Sequence, residues 1–169
     1  MEYCASRRFQ EALQFYDYII IQIDTDVSED YGVPKQDETG EFTVEQIIEK
    51  VRERLASCIG DVFYSRYSER ILFAISVHSV ECWLLPLYYS DRRKSKLASC
   101  LRTLNQVLQR AERFTIDPNR KNPDYYRHIC RQYCKHKTLM KFYSENPSLK
   151  IFIAEIEGRN IVIEGEDDF

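Results

Sequence analysis

The apolar positions of this chain fall into runs of different period, and each period predicts an element. Tyr18 to Ile23 is apolar at nearly every position, which suits a parallel strand covered on both faces better than an edge strand. Residues 70 to 78 (RILFAISVH) predict a second buried strand. Between them, TVEQIIEKVRERLASCIG places Val44, Ile47, Ile48, Val51, Leu55 and Ile59 at helical spacing. Thr43 with Gln46 makes a capping pattern at its start, and Gly60 ends it. Strand, helix, strand predicts a right-handed βαβ unit, so both strands point their C-terminal ends the same way.

The flanks are helical. Residues 8 to 16 predict a short helix with Phe9, Leu13 and Phe15 or Tyr16 inward, and residues 28 to 41 a polar loop. After Ser79, Val80, Trp83, Leu84 and Leu87 share a face, with Pro86 a kink. Leu97, Leu101, Leu104, Leu108 and Ala111 form the stripe of a longer helix. DPNRKNP (117 to 123) is a loop, and 124 to about 143 is helical in one piece or two. Asn146 caps a final helix that starts at Pro147 and turns Leu149, Phe152, Ile153 and Ile156 inward. The ending NIVIEGEDDF is a last short strand or a frayed tail. The expected fold class is α/β: a small parallel sheet with a helical C-terminal half. It is read as one domain over 1–169, with a sheet core and acidic site (17–90), a basic helical part (91–158) and a tail (159–169).

Composition narrows the class. With 169 residues, 44% of them hydrophobic, and only five Gly and five Pro, the chain is globular rather than disordered. The N-terminus lacks the apolar core of a signal peptide. The greasiest region, Ile71 to Tyr89, is interrupted by His78, Glu81 and Pro86, so no membrane span is expected. Six cysteines without a secretion signal read as free thiols of a cytoplasmic protein.

The net charge of −3 hides a segregation: residues 92 to 141 hold 14 Lys or Arg against three acids. Such a block either draws a phosphate-rich polymer or packs against the acidic remainder of the chain. Arg92, Arg93, Lys94 and Lys96 form one cluster, Arg120 and Lys121 a second, and Arg127, Arg131, Lys135, Lys137 and Lys141 a third. DNA or RNA is the partner these clusters imply, through phosphate contacts. Tyr125, Tyr126 and Tyr133 interleave with them, either as core residues or as stacking platforms for unpaired bases.

The candidate chemistry lies where the strands end. Asp24 closes the first strand, Asp26 follows, and Glu81 comes three residues after His78 at the end of the second. Ligands of open α/β sheets gather beyond the carboxyl ends of the strands. If the strands are neighbours, Asp24, Asp26 and Glu81 converge as oxygen ligands suited to Mg²⁺ or Mn²⁺. The alternative is that the two aspartates only cap a loop. His78 either assists proton transfer or is hydrogen-bonded to the chain. His128, Cys130, Cys134 and His136 do not suit zinc, because the histidines fall on other faces of the helix from the cysteines.

The strand ending in IDTD, the later strand running into SVECWLL, and the basic helical part closing with NPSLKIFIAEI resemble the TOPRIM-type nuclease-like proteins. The nearest group is the RloB-like proteins found with bacterial restriction and anti-phage systems. The resemblance implies a Mg²⁺-dependent nuclease in which Asp24 and Asp26 bind the metal and Glu81 completes the set. TOPRIM domains also carry a catalytic Glu upstream of the DxD, and here neither Glu2 nor Glu11 has that context. The chain therefore begins inside the domain, is completed by another protein, or lacks that base. Two rival readings stay open. One is a haloacid-dehalogenase-type phosphatase with Asp24 as nucleophile and Asp26 as acid. The other is an inactive subunit that binds a protein partner or a second copy through an exposed sheet edge.

Overall fold

The computed structural model describes residues 1–159 and 161. The possible last strand or frayed tail at residues 160–169 lies, Ile161 apart, outside them. Helix α1 (Arg7–Phe15) starts at Ser6, whose side chain accepts the Phe9 N–H, and buries Phe9 and Leu13. Phe15 and Tyr16, one of which was expected inward, are instead 81% and 64% exposed, because the helix stops at Phe15 and Tyr16 is already extended. Strand β1 (Ile19–Asp24) follows, and the polar loop after it holds a short hairpin of β2 (Gln36–Asp37) and β3 (Gly40–Glu41).

Helix α2 (Val44–Ile59) matches its sequence pattern closely. Thr43 Oγ1 accepts from Gln46 N–H at 3.3 Å, Gln46 returns the bond to Thr43 N–H at 2.8 Å, and Gly60 follows the last turn. Ile47, Ile48, Val51, Leu55 and Ile59 are buried. Helix α3 (Asp61–Tyr67), absent from the sequence reading, leads into β4 (Ile71–Ser76), every residue of which is buried. β1 and β4 pair in parallel, Ile19 opposite Ile71 and Asp24 opposite Ser76.

The expectation that β1 is covered on both faces is corrected. Its burial alternates, and Ile20 is 56% exposed. Among the described residues the sheet has these two strands, so β1 is an edge of it there, and the Ile20 and Gln22 side chains point away from the core that Ile21 and Ile23 help to close.

Past β4 the chain is helical: α4 (Glu81–Leu84), a tight turn containing Pro86, then α5 (Cys100–Ala111), α6 (Pro123–Cys130), α7 (His136–Phe142) and α8 (Pro147–Gly158). Leu97 lies ahead of α5, while Leu104 and Leu108 are buried in it. Helix α8 returns to the sheet. Leu149 and Ile153 pack with Ala74 of β4 and Trp83 of α4, and Arg52 of α2 grips Glu155 through two hydrogen bonds of 3.3 and 3.0 Å. The fold is thus α/β and mostly helical, around one small parallel pair.

The expectation of six free thiols is also corrected. Cys82 and Cys100, both fully buried, form a disulfide that ties α4 to the first residue of α5. Cys4, Cys58, Cys130 and Cys134 are free. Among the described residues no helix is long and apolar enough to cross a membrane.

Candidate active site

The parallel ladder carries both chain segments past the sheet in register. Thr25 N–H donates to Ser76 O (3.1 Å) and Asp26 N–H to His78 O (2.8 Å), so the loop after β1 runs beside the turn after β4. His78 N–H donates to Thr25 Oγ1 at 2.7 Å, and this bridge accompanies a left-handed backbone at His78 (φ 69°). A β-carbon makes that conformation uncommon, and such residues concentrate where surrounding structure imposes them. His78 Nδ1 is buried without a hydrogen-bond partner among the described residues.

Asp24 reaches across this junction. Its Oδ1 accepts the Val80 N–H at 3.0 Å and Gln22 Nε2 at 2.8 Å, while Tyr31 OH donates to its carbonyl at 3.0 Å. Val80 immediately precedes α4, so the carboxylate ending β1 sits at the turn that delivers Glu81. Burial pushes the Asp24 carboxyl above its ordinary range, and the charges of Glu81 and Asp26 push it further. Tyr31 is held up to about 12 by burial and by the charges of Asp26 and Asp24.

Glu81 is the deepest acid, its side chain 1% exposed. Its Oε1 receives Lys121 Nζ at 2.9 Å and a short hydrogen bond from Tyr126 OH. Its Oε2 has no partner among the described residues. Burial alone raises the Glu81 pKa, but the hydrogen bonds from Tyr126 and Lys121, with the polar hydroxyl of nearby Ser79, outweigh it and hold the carboxyl below its ordinary value. Burial likewise opposes the Lys121 charge, and Glu81, with Asp24 and Asp26, overcomes it and raises the ammonium pKa. Tyr126 is pushed up by burial and by Glu81, so it stays a hydrogen-bond donor.

The structure therefore brings Asp24 and Glu81 to one rim, with Asp26 and His78 joined to it through backbone bonds. It does not assemble Asp24, Asp26 and Glu81 as a three-ligand cage. Among the described residues no group of three or more His, Cys, Asp or Glu is set to hold a metal ion. The reason is twofold: Asp26 is exposed beyond the strand end, and Lys121 has moved in on Glu81. Two carboxylates still fit Mg²⁺ or Mn²⁺, since such ions keep several waters and commonly take one or two carboxylates plus substrate phosphates. The unpartnered Oε2 of Glu81 is the oxygen such an ion would use.

Lys121 and Tyr126 are site residues that the sequence reading left among the general basic and aromatic positions. Both come from beyond α5, Lys121 from the segment before α6 and Tyr126 from α6 itself, and the folding of that half around its core brings them to Glu81. Tyr126 stands one helical turn from Asn122, the cap of α6, and beside Ile129 and Cys130 in the core cluster of that half.

The basic clusters divide. Arg93 chelates Asp91 (2.6 Å) and lies 4.1 Å over the Tyr89 ring, Lys94 pairs with Glu145 (2.8 Å), and Arg127 with Asp124 (2.6 Å). Lys96 Nζ donates to Thr103 Oγ1 at 3.1 Å. Nearby acids thus engage part of the block, as the second of the two expectations for it has it, and leave part of it open. Arg92, Arg131, Lys135 and Lys137 are exposed and form no ion pair among the described residues. Cys130 is the last residue of α6 and Cys134 lies in the turn that follows, with its Sγ directed to the Cys130 carbonyl (3.8 Å).

No family model, curated protein or solved structure matches this chain.

Proposed function

We propose that the chain is a metal-dependent phosphodiesterase of the TOPRIM-like kind, acting on DNA or RNA, in keeping with an anti-phage role. One observation carries the reading. A fully buried glutamate with one orphaned oxygen lies beside a destabilised aspartate at the carboxyl ends of two parallel strands. Leaving a buried carboxylate oxygen unpaired costs about 1–3 kcal/mol, and binding sites are where such costs persist. Asp24 and Glu81 would hold Mg²⁺ or Mn²⁺, with Asp26 adding charge from the rim. The ion would supply Lewis acidity at a phosphoryl oxygen and activate water. Lys121 would neutralise the phosphate, Arg92, Arg131, Lys135 and Lys137 would hold the backbone, and His78 would assist proton transfer. Glu11, ion-paired to Arg7 at 2.8 Å on α1, does not replace the upstream TOPRIM glutamate.

The test is thermal unfolding with and without Mn²⁺, alongside cleavage of single- and double-stranded DNA and RNA. Wild type should gain stability with metal, and Asp24→Asn with Glu81→Gln should erase the gain. An unchanged metal response in the double variant would remove this site from consideration.

The exposed Ile20 on an edge strand favours a second reading, a subunit completed by a protein partner or a second copy. A monomer by mass in solution that cleaves nucleic acid alone would exclude it.

A further inference from the structure

We infer that Lys121 is a built-in counter-ion that competes with a divalent cation for the carboxylates of Glu81 and Asp24. The inference rests on the metal-site reading above and goes beyond it by assigning the site its own resident competitor.

The two partners differ in freedom. Glu81 is fixed: it opens α4, its side chain is 1% exposed, and Tyr126 holds the same oxygen that Lys121 contacts. Lys121 is loose by comparison. It stands in the segment between α5 and α6, its side chain is 42% exposed, and only its Nζ enters the site. A lysine is a point charge on a flexible four-carbon stem, so it can leave a carboxylate without moving the backbone. The contact of Lys121 is with Glu81 Oε1 at 2.9 Å, and the charges of Asp24 and Asp26 further favour its ammonium form.

A cation bound to Glu81 Oε2 and Asp24 would share one carboxyl group with the ammonium on Oε1. Like charges at that spacing repel. The ammonium would then turn outward, where the phosphodiester coordinated by the ion offers it a new anion. The acid group is neutralised in either state, by its own lysine or by the cation. Only the second state frees a positive group for the substrate.

The experiment is calorimetric titration of Mn²⁺ alone into wild type, Lys121→Met and Lys121→Arg at pH 8, with circular dichroism to compare their folds. Lys121→Met should bind Mn²⁺ more tightly, by about fivefold, the size expected from removing one half-exposed charge. Lys121→Arg keeps the charge and should bind no more tightly than wild type. A gain of affinity is a result that damage to the fold does not produce. If wild type binds Mn²⁺ and Lys121→Met binds equally or more weakly, the competitor role is overturned while the metal site stands. If none of the three binds Mn²⁺, both are overturned.

Discussion

Asp24 and Val80 are joined by a 3.0 Å hydrogen bond from the Val80 N–H to Asp24 Oδ1. The last residue of β1 thereby fastens the turn that presents Glu81 from the end of β4. Two acids 57 positions apart in sequence become neighbours through one backbone donor.

Asp24→Asn should separate stability from function. Burial and like charges hold the Asp24 pKa up, so the fold favours its neutral form. A raised carboxyl stabilises the fold below its folded pKa and loses that contribution as pH rises through it. At pH 7 wild type therefore carries a charge the site resists, and asparagine keeps an acceptor for Val80 without it. The variant should melt about 2–4 °C higher than wild type without metal. Differential scanning calorimetry at pH 7 checks this, and a lower melting temperature would contradict it.

Glu81→Gln should act in the opposite sense. Its partners hold the Glu81 pKa below 4.5, so its contribution is present above that value and fades as pH falls through the folded pKa. Losing the charge-assisted bonds from Lys121 and Tyr126 should cost about 1–3 kcal/mol at pH 7, discounted because Lys121 is half-exposed. Urea unfolding at a series of pH values should show the gap from wild type narrowing below pH 4.5. A gap independent of pH would mean that the ion pair contributes nothing.

Asn146→Ala should be among the most destabilising changes outside the site. The fully buried Asn146 accepts Ser148 N–H (3.1 Å), Ser148 Oγ–H (2.9 Å) and Leu149 N–H (3.1 Å) through one oxygen, and donates to Cys82 O (3.4 Å). Ser148 in turn receives the Trp83 indole N–H at 2.8 Å. Loss of a buried cap with several partners should cost about 2–3 kcal/mol by chemical denaturation.

The disulfide gives a count. Alkylation of the denatured, unreduced protein should label the four free cysteines, Cys4, Cys58, Cys130 and Cys134, and prior reduction should expose Cys82 and Cys100 as well. A link across 18 residues contributes about 3 kcal/mol in the chain-entropy picture, so Cys100→Ser should lower the denaturation midpoint accordingly. Six labels before reduction would contradict the bond.

For nucleic acid binding, replacing Arg131, Lys135 and Lys137 with Ala should flatten the dependence of log affinity on log salt by about two to three in slope. Arg93→Ala or Arg127→Ala should change it less, because Asp91 and Asp124 already neutralise those charges. Equal effects from both sets would mean that the ion pairs open on binding.

Local pattern was enough wherever a residue's environment is built from its near neighbours. The Thr43–Gln46 box, the buried stripe of α2, the Asn146 cap and the apolar run of β4 are all of this kind, since helix and strand periods repeat over a few positions. The strand–helix–strand order made the parallel direction of β1 and β4 legible, whereas their pairing as neighbours entered only as a condition and is given by the ladder itself. The exposed face of β1 was not legible, because covering a strand requires another element to pack there, and the run IIIQI reads alike in a central strand and an edge one. Nor was the Cys82–Cys100 bond, which depends on how α5 lies against α4. Above all, the Lys121 ammonium and the Tyr126 hydroxyl reach Glu81 across 40 and 45 positions. Coulomb attraction and hydrogen bonding act over ångströms of space, and the distance between those groups is set by the folding of the intervening chain, not by its spelling.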